Sequence, residues 1–195
     1  GDRKSGNCYK VQLVCSLLGQ AMDWVDVDLL AGETRTSEFL QMNPNGKIPV
    51  VVLGDGEILS ESNAIINYLA SNTPLYPSDP LLAARVQQWQ FFEQYSHEPF
   101  IAVARFINKY LGLPEDRRGE YEAKQEGGNR ALAVIEQQLQ RAPFLAGKTL
   151  TTADVSLYAY THVADEGGFD LTQFPAIQGW LKRVELAPGY VPMKC

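Results

Sequence analysis

Apolar side chains near the N-terminus follow two different periodicities. Between residues 8 and 18 they recur at helical spacing, which predicts a helix that ends near Gly19. Between Trp24 and Leu29 apolar and polar residues alternate, which predicts a β-strand. A helix followed closely by a strand is typical of mixed α/β structure.

The residues that follow predict a short helix, a hairpin and a further helix. Helical spacing covers residues 37–42 and 61–70. Between them, two β-rich runs at 48–53 and 57–59 flank an Asp-Gly turn, which predicts an antiparallel hairpin. Pro49 lacks an N–H, so we expect it at the start or the edge of its strand.

Beyond residue 80 helical periodicity dominates. Three prolines between residues 74 and 80 interrupt any helix that reaches them. The pattern therefore predicts an α/β domain over residues 1–73, a stiff linker over 74–80 and an all-helical domain over 81–195. Four stretches are candidate helices, namely 81–110, 117–141, 152–166 and 174–186.

One of these helices carries a start signal. Thr151-Thr152-Ala153-Asp154 precedes an apolar run, as in a capping box. Asp154 would reach back to the backbone of Thr151. We interpret this motif as a folding signal and not as a catalytic one.

Composition and charge exclude several classes of protein. The chain has 195 residues, of which 45% are hydrophobic and 21% charged, values typical of a globular protein. Its net charge of −6 argues against broad nucleic-acid binding. No apolar run is long enough for a membrane span, and the first residues are too polar for a signal peptide. We therefore expect a cytoplasmic protein that binds neither nucleic acid nor membrane.

Cysteine and histidine positions predict neither disulfides nor a metal site. Cys8 and Cys15 on one helix would lie about 10 Å apart, beyond disulfide reach. Cys195 leaves an odd count of three. His97 and His162 are far apart in sequence, and we interpret both as structural or surface residues.

Four motifs resemble the glutathione S-transferase family in their order and spacing. They are Ser5-Gly6-Asn7-Cys8-Tyr9-Lys10-Val11, Asn43-Pro44-Asn45-Gly46-Lys47-Ile48-Pro49, Glu61-Ser62-Asn63-Ala64-Ile65 and the Thr-Ala-Asp cap. Each is weak alone, but the ordered set is specific and spans nearly the whole chain. The resemblance implies a thioredoxin-like N-terminal domain, an all-helical C-terminal domain and a homodimer.

The chain departs from the family at its first strand. In the family a strand precedes the Ser-bearing loop and lies between the second strand and the hairpin, whereas only four residues precede Ser5 here. Without it, the backbone groups of Trp24–Leu29 would have no evident partner. We therefore expect additional residues upstream of Gly1.

The resemblance also implies how glutathione would be bound. Ser62 and Glu61, at a helix N-terminus, would hold the γ-glutamyl carboxylate and ammonium. Ile48 would pair its backbone with the cysteinyl unit because the bond to Pro49 is cis, and Lys47 would face the glycyl carboxylate. Without the resemblance, the motif at Glu61–Ser62 is better explained by Ser60 or Ser62 as a helix cap, and Lys47 is equally well explained as a solvated turn residue.

Three residues of the first motif are candidates for the group that interacts with the glutathione thiol. The Ser5 hydroxyl would donate to the sulfur and so lower its pKa. Asn7 is a rival, because related bacterial enzymes use an asparagine amide. Cys8 resembles a cysteine that forms a mixed disulfide with glutathione in some relatives, but it stands one position late and suits a buried first turn.

The resulting prediction is an enzyme that transfers glutathione, its co-substrate, to a small hydrophobic electrophile, as in detoxification. We expect the second substrate to lie against one helix of the C-terminal domain, which carries Tyr95, Phe100, Val103, Phe106 and Tyr110. Arg105 and His97 would add polar groups to this otherwise apolar surface. Disulfide or peroxide reduction and isomerisation are alternatives within the enzymes. A transferase-fold protein that binds protein partners without catalysis is the alternative of another class.

Overall fold

The N-terminal part of the chain consists of three α-helices around one β-hairpin. In the computed structural model, which describes residues 1–194, they are α1 (Gly6–Leu17), α2 (Ser37–Met42) and α3 (Ser62–Leu69). A 3-10 turn at Glu33–Arg35 precedes α2. Strands β1 (Val50–Val52) and β2 (Ile58–Ser60) pair antiparallel, with Val51 opposite Leu59. The predicted helices and hairpin are thus confirmed.

The predicted strand at Trp24–Leu29 is wrong. This segment has no strand assignment, because within residues 1–194 no strand lies beside it. Its backbone pairs with Gly1 at two positions: the Gly1 ammonium donates to the Val25 carbonyl at 2.6 Å, and the Val27 N–H donates to the Gly1 carbonyl at 2.9 Å. An apolar cavity of about 670 Å³ separates the segment from α1 and β1. The expectation of residues upstream of Gly1 stays a prediction.

The rest of the chain is helical, as predicted. Asp79 begins α4 by accepting a hydrogen bond from the Leu82 N–H at 2.8 Å. The predicted helix at 81–110 is continuous but contains two π-helical turns. Its parts are α4 (Pro80–Phe92), a π turn (Glu93–His97), α5 (Glu98–Arg105) and a second π turn (Phe106–Tyr110).

Three further helices follow, with one 3-10 turn before the first and two between the second and the third. They are α6 (Arg118–Leu139), α7 (Thr152–Thr161) and α8 (Pro175–Glu185), and the turns are Glu115–Arg117, Ala164–Gly167 and Leu171–Gln173. None of the helices within residues 1–194 is both long and apolar enough to cross a membrane.

Helix α7 forms the centre of the molecule. All ten of its residues are buried, and it contacts α1 and α3 on one side and α4, α5 and α8 on the others. Because α1 and α3 belong to the N-terminal part, the hydrophobic core is continuous between the two parts of the chain. The geometry of α1 therefore depends on the C-terminal helices.

Two adjacent glycines allow close packing in the middle of α6. A Cβ atom at Gly127 would overlap the ring of Phe100, and one at Gly128 would overlap the ring of Phe169. Two aromatic rings therefore lie directly on the backbone of α6.

The Asp154 carboxylate organises the start of α7, as the cap motif predicted. Its Oδ2 accepts hydrogen bonds from the Thr151 N–H at 2.9 Å and the Thr151 hydroxyl at 3.0 Å. Its Oδ1 accepts from the Leu145 N–H at 2.9 Å and from Trp180 Nε1 at 3.0 Å. The carboxylate is fully buried, and burial raises its pKa to about 6 although these four bonds oppose the shift.

We expect Asp154→Ala to lower the free energy of unfolding by roughly 3 kcal/mol, because it leaves several buried donors unpaired. Asp154→Asn retains one carbonyl acceptor, so its loss should be smaller. Urea unfolding at neutral pH measures both. A loss below about 1 kcal/mol in the alanine variant would show that the buried donors find other partners.

Candidate functional site

The N-terminus of α1 brings several of the predicted site residues together. Ser5 caps this helix and Asn7 lies in its first turn, next to Ser62 at the start of α3. Ser5 has an extended backbone, which lets its side chain accept a hydrogen bond from the Cys8 N–H and cap the helix that begins at Gly6. Gly6 is required there, since a Cβ at this position would lie 2.6 Å from the ring of Tyr160 in α7.

Ser5 combines a capping role with an available proton. Its Oγ accepts a long hydrogen bond of 3.4 Å from the Cys8 N–H. This bond uses a lone pair of the oxygen, and among residues 1–194 the hydroxyl proton has no acceptor. The side chain is half-buried at the mouth of the site. Ser5 can therefore cap the helix and donate to an anionic ligand atom at the same time.

The orientation of the Asn7 amide follows from its neighbours. Its Oδ1 lies 2.8 Å from Lys10 Nζ and 3.1 Å from Ser62 Oγ. An ammonium group only donates, so the atom facing it is the carbonyl oxygen. The amide nitrogen Nδ2 therefore points the other way and has no acceptor in the described part of the chain. The Asn7 N–H donates to the Tyr160 hydroxyl at 3.3 Å.

The start of α3 has an unusual backbone and an engaged side chain. Glu61, which precedes the helix, has φ 67° and ψ 109°, a conformation that non-glycine residues rarely adopt and that often marks functional sites. The Ser62 hydroxyl donates to Asn7 Oδ1 and accepts from Lys10 Nζ at 3.3 Å. Its proton is thus already used, and the backbone N–H groups at the start of α3 remain the donors for a carboxylate.

The loop before β1 has the backbone geometry that the resemblance implied. The Ile48–Pro49 peptide bond is cis. Asn43 Nδ2 donates to the Lys47 carbonyl at 2.7 Å and so braces the loop. Pro49 is buried, whereas the side chain of Lys47 is exposed. Lys47 is therefore free to approach an anionic ligand from the solvent side.

Cys8 is not brought to the site. Its side chain is 1% exposed and lines the apolar cavity, next to Gly1 and Trp24. Burial raises the pKa of its thiol, which disfavours the reactive thiolate. Cys15 is also free and buried, and Cys195 lies outside the described residues. The interpretation of Cys8 as a small buried side chain therefore agrees with the structure.

The aromatic residues of the α5 region have different environments. Tyr95 is 79% exposed, and Phe100 packs against the backbone of α6. The rings of Phe106 and Tyr110 contact each other in a tilted arrangement, with 5.3 Å between ring centres. Burial raises the pKa of Tyr110 to about 12. The Tyr110 ring lies near the loop before Ser5, because its centre is 5.6 Å from the Arg105 guanidinium, which donates to the Lys4 carbonyl. Phe106 and Tyr110 are thus the better candidates for contact with a second substrate.

Arg105 connects the C-terminal helices to the loop before Ser5. Its guanidinium donates to the Lys4 carbonyl at 2.7 Å and to Glu166 at 2.6 Å. The side chain is 3% exposed and anchors the loop from the protein interior through the Lys4 carbonyl. Arg105, which was predicted to add polarity near the second substrate, therefore directs its hydrogen bonds to Lys4 and Glu166 of the protein itself.

His97 is a structural residue. It is fully buried, and Thr161 Oγ1 lies 3.0 Å from its Nε2. The Thr161 hydroxyl donates to the Leu157 carbonyl, so His97 Nε2 carries the proton. Burial lowers the pKa of His97 to about 4, and the ring is neutral at pH 7. Within residues 1–194 no cluster of His, Cys, Asp and Glu side chains could hold a metal ion.

Sequence reasoning missed three residues that shape the site, namely Lys10, Glu93 and Tyr160. Lys10 and Glu93 are fully buried and lie 2.9 Å apart, and Tyr160 is 7% exposed. A signal was available for Lys10, since the residues three and four positions further on, Leu13 and Val14, are apolar. A lysine on the apolar face of a helix indicates a buried partner.

Comparisons with known proteins identify the family. Residues 1–77 match the N-terminal domain of glutathione S-transferases, and residues 89–188 match the C-terminal domain. The chain belongs to the glutathione S-transferase family. This confirms the predicted fold, a thioredoxin-like domain followed by an all-helical one, and the prediction of a glutathione S-transferase enzyme.

The relatives of this glutathione S-transferase are named for different activities. A glutathione S-transferase from Pseudomonas fluorescens Pf-5 is 57% identical, with a TM-score of 0.98 over 100% of this chain and 97% of its own. Disulfide-bond oxidoreductase YfcG of Escherichia coli is 30% identical over 85% of this chain and 79% of its own. A maleylacetoacetate isomerase from Methylobacterium extorquens AM1, with bound malonate and glutathione, is 26% identical, with a TM-score of 0.81 over 97% of this chain and 89% of its own.

We expect Arg105→Lys to loosen the loop before Ser5, because an ammonium cannot reproduce the two directed bonds of the guanidinium. Amide hydrogen exchange in the first turn of α1 should accelerate about tenfold, as expected for the loss of one charge-assisted hydrogen bond. Lys109→Met is the matched control, since Lys109 also pairs with Glu166 but does not touch the loop. Equal exchange rates in the two variants would contradict the anchoring role.

Proposed function

We propose that this glutathione S-transferase conjugates glutathione to a small hydrophobic electrophile, as a cytoplasmic homodimer that acts in detoxification. One observation carries the proposal: two donors at the N-terminus of α1, the Ser5 hydroxyl and the Asn7 amide, have no acceptor of their own among residues 1–194. Free donors at a helix N-terminus suit an anionic sulfur.

Glutathione would be held along the edge formed by the three site segments. Its γ-glutamyl carboxylate would accept from the backbone N–H groups at Ser62, with Glu61 facing the ammonium. Its cysteinyl unit would pair with the backbone of Ile48 before Pro49, a short form of β-augmentation. Lys47 would lie near the glycyl carboxylate. The exposed Lys47 side chain and the cis peptide bond support this arrangement.

The chemical step follows from thiolate stabilisation. Glutathione loses its thiol proton to solvent, and the Ser5 and Asn7 donors stabilise the thiolate that remains. The sulfur then attacks the electrophilic carbon, a carbon–sulfur bond forms and the leaving group departs with its electron pair. Each unit by which the thiol pKa falls is worth ~1.4 kcal/mol and increases the thiolate population about tenfold while the thiol still predominates.

Glutathione-dependent disulfide reduction is the second candidate. Two observations favour it: the Asn7 amide nitrogen points away from Lys10, and a disulfide-bond oxidoreductase is among the relatives. The isomerase relative makes ring or double-bond isomerisation a further possibility for the same thiolate. A non-catalytic factor would not need two free donors and a strained Glu61 at one site.

Glutathione titration by calorimetry tests the binding step, and two parallel assays test the reaction. We expect binding below millimolar glutathione, together with faster conjugation of chlorodinitrobenzene than reduction of hydroxyethyl disulfide. The reverse ratio of the two activities would assign the protein to disulfide reduction. The absence of glutathione binding would contradict both reactions.

Variants of the two donors distinguish their roles. We expect Ser5→Ala to raise the pKa of the bound thiol by about one unit, the size expected for one hydrogen bond to a charged group. The conjugation rate would then shift to higher pH and fall up to about tenfold near pH 7, because less thiolate is present. Titration of thiolate ultraviolet absorbance measures this pKa.

Asn7→Ala is the comparison for Ser5→Ala. A shift of the pH profile in the Asn7 variant and none in the Ser5 variant would assign the donor to Asn7. Ser62→Ala is the control, because we expect it to weaken glutathione binding more than it shifts the thiol pKa.

A further inference from the structure

A fully buried ammonium group lies against Asn7, one of the two donors of the proposed site. Lys10 Nζ is within 2.8 Å of Asn7 Oδ1, 2.9 Å of Glu93 Oε1 and 3.3 Å of Ser62 Oγ. The side chains of Lys10 and Glu93 are both 0% exposed. The contacts with Asn7 and Ser62 are hydrogen bonds that the ammonium donates, and the contact with Glu93 Oε1 is an ion pair.

The carboxylate partner is held from the opposite side. Glu93 Oε2 accepts from Asn63 Nδ2 at 3.1 Å, from Gln94 Nε2 at 2.7 Å and from Ser156 Oγ at 3.4 Å. The ion pair has no net charge, but its positive end contacts Asn7 and Ser62, while the second oxygen of its negative end accepts from α3, the first π turn and α7. The positive end is thus the one directed at the proposed glutathione site.

Stability alone does not explain this pair. Desolvation of two buried charges offsets most of their attraction, and apolar residues of similar volume are often equally stable. Lys10 follows the apolar face of α1, where a methionine or leucine would pack against the same core. The ammonium provides what an apolar side chain cannot, namely a donor that accepts no hydrogen bond.

That property determines which end of the Asn7 amide faces the ligand. With Lys10 present, only the carbonyl oxygen can face inward, and the amide nitrogen must face outward. Without it, the amide could rotate by half a turn and donate inward to Ser62, with its oxygen outward. An outward carbonyl oxygen would repel a thiolate, so the two orientations have opposite effects on the thiol pKa.

We propose that Lys10 is a positioning residue for thiol activation, which holds the Asn7 carbonyl oxygen inward so that the amide nitrogen donates to the sulfur of bound glutathione. The inference rests on the proposed function, since it needs glutathione in the site. Lys10 acts through Asn7 and does not itself touch the sulfur.

A pair of single variants separates positioning from stability. Lys10→Met and Glu93→Gln both break the buried ion pair, but only the first removes the bond to Asn7. We expect Lys10→Met to raise the pKa of the bound glutathione thiol by about one unit, as for the loss of one charge-assisted hydrogen bond. Glu93→Gln should leave this pKa unchanged or lower it, because the ammonium remains. Equal shifts in both variants would overturn the proposal.

Two further variants keep the test decisive if Lys10→Met is too unstable. The double variant Lys10→Met, Glu93→Leu contains no unpaired buried charge and should fold, yet it should show the same raised thiol pKa. In addition, Asn7→Ala combined with Lys10→Met should shift the pKa no further than Asn7→Ala alone, since both act on one contact. Additive shifts would overturn the route through Asn7.

Wild-type measurements distinguish this inference from the proposed function. If the wild-type protein binds glutathione with a lowered thiol pKa and the Lys10 variants keep that value, only the role of Lys10 is wrong. If the wild-type protein fails to bind glutathione in calorimetry, the proposed function fails and the inference with it.

Discussion

The ion pair between Lys10 and Glu93 is the interaction on which the arrangement of the site depends. It lies where the first helix, the start of α3, the π turn that follows α4 and the central helix α7 meet, and its hydrogen-bond partners come from these elements. A buried charge in this position requires an opposite charge beside it. The relative placement of the four elements is therefore restricted to one that satisfies both charges.

The candidate site belongs to both parts of the chain. The donors Ser5 and Asn7 are N-terminal, but Tyr160 accepts from the Asn7 N–H and Arg105 anchors the carbonyl before Ser5, and both of these belong to C-terminal helices. The N-terminal domain alone would keep the motif but lose these supports. Such support is how a site retains its geometry while a ligand binds and leaves.

Much of this arrangement was predictable from local pattern. Periodicity located the helices and the hairpin, and the Asp154 motif predicted its own cap, because these features depend on neighbouring residues. The strand at Trp24–Leu29 failed because a strand exists only through its partner, which alternation does not show. The engaged hydroxyl of Ser62 was likewise out of reach. The apolar neighbours of Lys10 indicate a buried partner but do not identify Glu93, because both contacts join residues more than fifty positions apart.

The paired glycines of α6 affect the order in which the molecule folds. Each glycine within a helix costs about 1 kcal/mol relative to alanine, so the middle of α6 is intrinsically weak. The rings of Phe100 and Phe169 compensate for this, but only once α5 and the segment after α7 are in place. A peptide of residues 118–139 would be largely unstructured in water. Helix α6 is therefore a product of tertiary assembly, and it forms with the helical domain instead of preceding it.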